Sequence, residues 1–144
     1  MSRSGAINRI DALLGTVSDP TFTAILRGEP LSIPGTPLCA FWIVSRSTMF
    51  ETFTDVSTMT TFTIRSYFRM QASQDVRESI EEDLWDAAVN IDTALRSDAN
   101  LAGNCSDSNV GTMATGYTDI GGVAYRTMDI PFEVEILGEV TITP

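Results

Sequence analysis

Glu78, Glu81, Glu82, Asp83 and Asp86 crowd one short stretch of the chain, and carboxylates at this density are what a hard divalent cation needs. Their spacing spreads them along the outer side of a predicted helix, and no histidine joins them, so a solvated helix face is expected instead of a metal site. The run Asp107, Ser108, Asn109, Val110, Gly111 has the opening flavour of a calcium loop. It lacks the remaining spacing and the closing glutamate. Nucleophilic catalysis by Ser, Thr or Cys needs a base beside the nucleophile, and the chain has neither histidine nor lysine. No catalytic, metal-binding or cofactor-binding residue is expected, and the chain is not expected to be an enzyme.

Cys39 and Cys105 cannot make a disulfide framework and lack zinc-site spacing. Cys39 lies in an apolar run and reads as a small buried hydrophobe, whereas Cys105 lies in a polar loop. Asn104, Cys105 and Ser106 fit a glycosylation sequon by letter, with nothing else pointing to secretion. The opening MSRSGAINRIDALLG has no uninterrupted apolar core, so no signal peptide is expected. No stretch approaches the roughly 18 apolar residues of a membrane span. The cytoplasm is the default address.

The formal charge is −10, from 19 acidic residues against nine arginines. Neutralising phosphates takes clustered Lys and Arg, and these arginines are scattered, so no nucleic-acid-binding surface is expected. An acidic surface favours solubility, and it also suits a wall past which DNA slides without sticking. At 144 residues the chain is expected to form one domain, 1–144, that buries roughly 70% of its unfolded surface.

These side chains must be positioned by the elements that periodicity marks out. Ile7, Ile10, Leu13 and Leu14 have helical spacing, giving a short amphipathic helix over 6–17 with Ser4 as N-cap and Gly15 near its stop. A Pro- and Gly-rich loop follows over 19–37, with at most a brief strand at 22–26. The apolar run 38–44 predicts a strand covered on both faces, and 45–59 an extended hairpin arm. From Thr60 the alternation is strict, with Phe62, Ile64, Phe68 and Met70 on one face and Thr61, Thr63, Arg65, Tyr67 and Arg69 on the other.

A long helix over 73–96 buries Val76, Ile80, Leu84, Ala87, Ile91 and Leu95 in steps of three and four. A glycine-rich segment with a short strand at 110–117 leads to a final alternating strand at 123–136. Arg126 is the one misfit on that strand's apolar face. Pro131 cannot donate to a ladder, so the strand is expected at a sheet edge or bulged there. Trp42, Phe62, Phe68 and Phe132 read as core. The expected fold is α+β: an antiparallel sheet of about four strands, with the N-terminal helix and the long central helix packed on one face, plus the hairpin arm. Strands 38–44 and 60–70 are expected to pair, as are 110–117 and 123–136.

This layout, closing on "IPFEVEILGE", resembles the tail terminator and tail completion proteins of long-tailed bacteriophages. The stretch "DTALRSDANLAGNCSDSNV" followed by "GVAYRTMDIPFEVEI" is most similar to that family, in which a helix end leads through a "Leu, small, Gly" turn to the final hairpin. The matching positions are Leu101, Ala102 and Gly103, and the likeness runs from about Ala6 to Ile136.

The resemblance implies a structural virion protein assembled in the host bacterial cytoplasm. Copies join in a hexameric ring that caps the head-proximal end of the tail tube, ends its polymerisation and offers a joining surface to the head-completion or connector protein. DNA passes through the ring without specific binding, and no membrane or cofactor is involved. A ring needs a heterologous contact between unlike sides of one subunit. Candidates for subunit or partner contact are Met49, Phe50 and Phe53 on the arm, Arg65, Arg69 and Arg126, and Pro131, Glu133 and Glu135 on the final strand. Arg65, Arg69 and Arg126 would pair with the acidic helix of a neighbour. Two alternatives stay open: a head-closure or neck connector protein, and an acidic monomeric binding module.

Overall fold

The computed structural model describes residues 2–50, 55–70 and 74–141. In chain order the elements are α1 (Arg3–Gly15), β1 (Ile25–Arg27), β2 (Leu38–Phe50), β3 (Asp55–Arg69), α2 (Gln74–Arg96), β4 (Asp107–Val110), β5 (Ala114–Ile120) and β6 (Val123–Thr141). The strands form one six-stranded sheet in the order β1, β2, β3, β6, β4, with β5 also paired to β6. The expectation of about four strands is therefore corrected to six. The sheet is also mixed, because β1 runs parallel to β2 while the other pairs are antiparallel.

Helix α1 starts one turn earlier than periodicity indicates. Its N-cap is Ser2, whose hydroxyl accepts from the Gly5 N–H, while Ser4 lies inside the first turn. Its apolar stripe, Ala6, Ile10, Leu13 and Leu14, is buried against the sheet together with Ile80, Leu84, Ala87, Ile91 and Leu95 of α2. The sheet meets both helices with Cys39 and Phe41 of β2, Phe62, Ile64 and Phe68 of β3, and the even-numbered residues from Met128 to Ile136 of β6. Period two on the strands and period 3.6 on the helices thus place one set of side chains in one layer.

The opposite sheet face is apolar only at one end. Leu38, Ala40, Tyr67 and Tyr125 are buried there, with Ala24, Leu26, Ile33 and Trp42 packed around them. Both faces of β2 are therefore covered at 38–41, as expected. Ile43 and Val44 are not: they are 49% and 59% exposed. Val44 has no partner on β3, since Ile43 pairs with Phe62 and Ser45 with Thr61, and this bulge turns the strand out of the core.

Of the expected arm, 45–50 continue β2 and 55–59 begin β3, while 51–54 lie outside the described residues. β2 and β3 pair from Leu38 and Tyr67 out to Phe50 and Val56, and β6 follows β3 as far as Thr141. At 23 residues α2 is about 34 Å long, whereas the 19 residues of β6 reach about 60 Å. The strands outrun the helix layer, so the arm is three strands wide.

Pro131 lies in the interior of the sheet. β6 has β3 on one side and β4 with β5 on the other. β4 pairs Val110 with Phe132, a register that would bring Met113 opposite Asp129, but Ala114 occupies that place. One extra residue is thus inserted between β4 and β5. The Pro131 carbonyl accepts from the Gly111 N–H at this break, and a strand residue points its N and O to the same side. The missing N–H of Pro131 faces the interruption, which is why a proline is tolerated in an internal strand.

Candidate interaction surfaces

Arg65 and Asp129 are direct register partners on the open sheet face. The guanidinium donates to both carboxylate oxygens, from Nε at 2.6 Å and Nη2 at 2.9 Å, and lies 5.2 Å from the Trp42 ring centre and 5.9 Å from that of Tyr67. The hydrogen bond to Asp129 raises the arginine pKa further above its ordinary value. Burial raises the Tyr67 phenol, against the opposing pull of Arg65. Trp42, read as core, is half-buried under this cation instead.

Arg126, the misfit on the apolar face, reaches across to helix α2. Its Nε donates to Glu81 Oε1 at 3.0 Å, its Nη1 to the Gly116 carbonyl at 3.2 Å, and its guanidinium sits 4.6 Å from the Tyr117 ring centre. It thereby ties β5 and β6 to α2. Arg65 and Arg126 thus have acidic partners within their own chain, Arg126 on the very helix face expected to receive a neighbour's arginine. Arg69 is exposed at the end of β3.

Of the other candidates, Met49 and Phe50 lie on β2 opposite Ser57 and Val56, and Phe53 lies outside the described residues. Glu133 faces Thr61 on one side and Asn109 on the other, and Glu135 faces Met59 and Asp107. Glu135 Oε1 accepts from the Ser106 hydroxyl at 2.8 Å. Both glutamates are in the sheet interior, not on an edge. Arg65, Arg126 and Glu135 thus have partners within the chain.

The open edges lie elsewhere. β1 accompanies β2 only from Cys39 to Phe41, so among the described residues no strand lies outside β2 from Trp42 to Phe50. β4 accompanies β6 only up to Glu135, and among the described residues no strand takes its place beside β6 from Ile136 to Thr141. Unpaired strand edges offer rows of backbone donors and acceptors to another chain.

A groove of about 270 Å³ lies between α2 and the β4–β5 break, lined by Trp85, Val89, Asp92, Val110, Met113 and Ile130 among others. Gly111 sits in this lining with Pro131 against it, so close that a Cβ there would come within 3.2 Å of the ring. Trp85 is 71% exposed, Val89 49% and Met113 40%. The stripe ending at Leu95 hid this feature in the sequence. Trp85, Ala88, Val89 and Asp92 form a second ridge in steps of three and four beside it, and that spacing was the available signal.

Chemistry is sparse on these surfaces. Among the described residues no group of three or more Cys, Asp or Glu could hold a metal ion. Both cysteines are free and buried, Cys105 included, although its loop is polar in sequence. Burial pushes the Cys39 thiol up to about 12 and the Cys105 thiol up to about 11, so neither is a nucleophile at neutral pH. Among the described residues no helix is long and apolar enough to cross a membrane. In comparisons with known proteins, the chain matches no family model and no curated protein.

Proposed function

We propose that this chain is a ring-forming virion protein of the tail terminator type. Copies of it cap the head-proximal end of a phage tail tube, stop its growth and present a surface to the head connector. The observation that carries the proposal is the three-stranded arm, which among the described residues has no strand outside β2 from Trp42 to Phe50 and none beyond the end of β4 along β6 from Ile136 to Thr141. Two unlike open edges on one chain are what a heterologous contact requires. The layout of helix, hairpin arm, long helix, "Leu, small, Gly" turn and final hairpin supports the family reading. A net charge of −10 is in keeping with a bore that lets DNA pass without holding it.

The mechanism in this reading is steric. A tube stops growing when its end is covered by a ring that offers no further tube-like surface. Lysates of a phage in which the gene is silenced are then expected to contain filled heads beside separate tails with overlong tubes. Joined virions with tails of normal length would overturn the proposal. Unjoined tails of normal length would move the protein to the head side of the joint.

A further inference from the structure

β4 is weakly anchored. It has four residues, pairs only with β6, and among the described residues has no strand on its outer side. Its C-terminal end runs directly into the break at Gly111. Short edge strands of this kind open at lower free energy than the centre of a sheet. What keeps β4 in place lies at its other end, in the turn that leads out of α2.

That turn is strained. Leu101 and Ala102 adopt φ of 50° and 57°, and Gly103 follows at 84°. Glycine is at ease in this region, but two consecutive residues with a Cβ persist there only where their surroundings hold them. Leu101 is buried and belongs to the same core layer as Ala6 and Ile10 of α1. Hydrogen bonds carry the turn over into β4. The Ser108 hydroxyl donates to the Ala99 carbonyl at 2.7 Å, and the Ser106 N–H donates to the Glu135 carbonyl at 2.8 Å.

α1 grips the turn at two points. Arg9 Nε donates to Asp98 Oδ2 at 2.7 Å, and the same carboxylate accepts from the Ala102 N–H inside the strained segment. One helical turn earlier, the Asn104 side chain fills the space where a Cβ on Gly5 would lie, while its Nδ2 donates to the Leu101 carbonyl at 2.9 Å. Gly5 and Arg9 share one face of α1, and Asp98 and Asn104 bracket the left-handed residues.

We propose that α1 is a clasp that sets how much of the β6 edge is open. Docked, it holds Leu101–Gly103 in the left-handed conformation and β4 beside β6. Lifted, it lets the turn relax and β4 leave, so that the uncovered edge of β6 grows from Ile136–Thr141 to Phe132–Thr141. The longer edge is the better template for a strand of another chain. In the ring reading above that chain is the neighbouring copy, and the clasp rests on that reading for its use, though not for its parts.

Amide hydrogen exchange of the full chain in dilute solution tests the clasp. Gly5→Ala raises helix propensity but sets a Cβ against Asn104, so faster exchange in β4 would come from undocking of α1 and not from its unwinding. It is expected to speed exchange about tenfold in β4 and at Glu133 and Glu135, whose N–H groups lie on the side of the Pro131 carbonyl. Arg9→Ala, at a side chain 40% exposed, leaves the core intact and is expected to give about threefold. Exchange at Phe62, Thr63 and Ile64 in the middle of the sheet is expected to stay at the wild-type rate. With Ala102→Gly the turn keeps its shape without α1, and Arg9→Ala is then expected to change exchange in β4 by less than about 1.5-fold. Wild-type exchange of β4 in either variant, an Arg9→Ala effect equal in β3 and β4, or one that persists undiminished beside Ala102→Gly would overturn the clasp. None of these readouts needs a ring, so the ring reading stands or falls separately, on the symmetry of the assembly.

Discussion

At Arg65 a two-point ion pair and two aromatic faces converge on one guanidinium, and the side chains of the pair are only 23% and 34% exposed. Hydrogen bonds to charged groups of this kind contribute more than exposed pairs do, so Arg65→Ala is expected to cost about 2 kcal/mol in urea unfolding. Arg65→Lys keeps the charge but not the planar fork, and is expected to recover less than half of that loss. Full recovery would show that charge alone matters there. Two carboxylates predict opposite dependence on pH. Asp98 is held below its ordinary value by Arg9 and then by the Ala102 N–H, so its contribution is present above the ordinary carboxylate pKa and lost as pH falls through the folded value. Asp98→Asn is expected to cost about 0.5–1 kcal/mol at neutral pH, and thermal melts should show the deficit vanishing in acid. Asp83 is raised, by burial first and then by Asp86, Asp19 and Glu82, so its penalty sets in as pH rises past the ordinary carboxylate pKa and is complete above the folded value. Asp83→Asn is expected to stabilise by about 0.3 kcal/mol at neutral pH and to change nothing in acid. The Arg65 partner was not legible in the sequence, because Asp129 becomes its neighbour only once β6 is set in register beside β3.

At the scale of elements, strong periodicity was enough for α2, β3 and β6, since each presents a mainly apolar face to a single core. Breaks in periodicity were harder. Pro131 suggested an edge because a proline inside a sheet normally loses a ladder bond, and nothing in the sequence showed that the neighbouring strand would be interrupted at the same place. The Val44 bulge was hidden in a similar way, by apolar letters that continue past the covered part of β2. The turn after α2 was legible as a pattern but not as a conformation: Leu101, Ala102 and Gly103 all adopt positive φ, at 50°, 57° and 84°. Leu101 is buried and anchors the turn, while Ala102 is exposed and gains nothing from its side chain. Ala102→Gly is therefore expected to stabilise the protein by about 0.5–1 kcal/mol, since the left-handed region is strained for a residue with a Cβ. Unchanged or reduced stability on thermal melting would show that the turn is not strained.

For the whole molecule, the helices cover one face of the sheet and the loop before β2 one end of the other, yet the strands outrun both, and among the described residues the β2 edge, the end of β6 and the α2 groove stay open. That distribution could not be read from the sequence, because Trp85 and Val89 are adjacent in space to Met113 only through the β4–β5 break. The nine sequence candidates came from the arm, the outer face of the strand from Thr60 and the final strand. Arg65, Arg126, Glu133 and Glu135 instead serve within the chain or inside the sheet, whereas the open surfaces belong to residues with apolar letters. In the proposed reading, unlike surfaces of one subunit meet in a heterologous contact that closes into a ring. Negative-stain electron microscopy of the purified protein at high concentration tests this most directly. Rings of six-fold symmetry with a central hole are the expected result, and uniform monomers or two-fold dimers would contradict it.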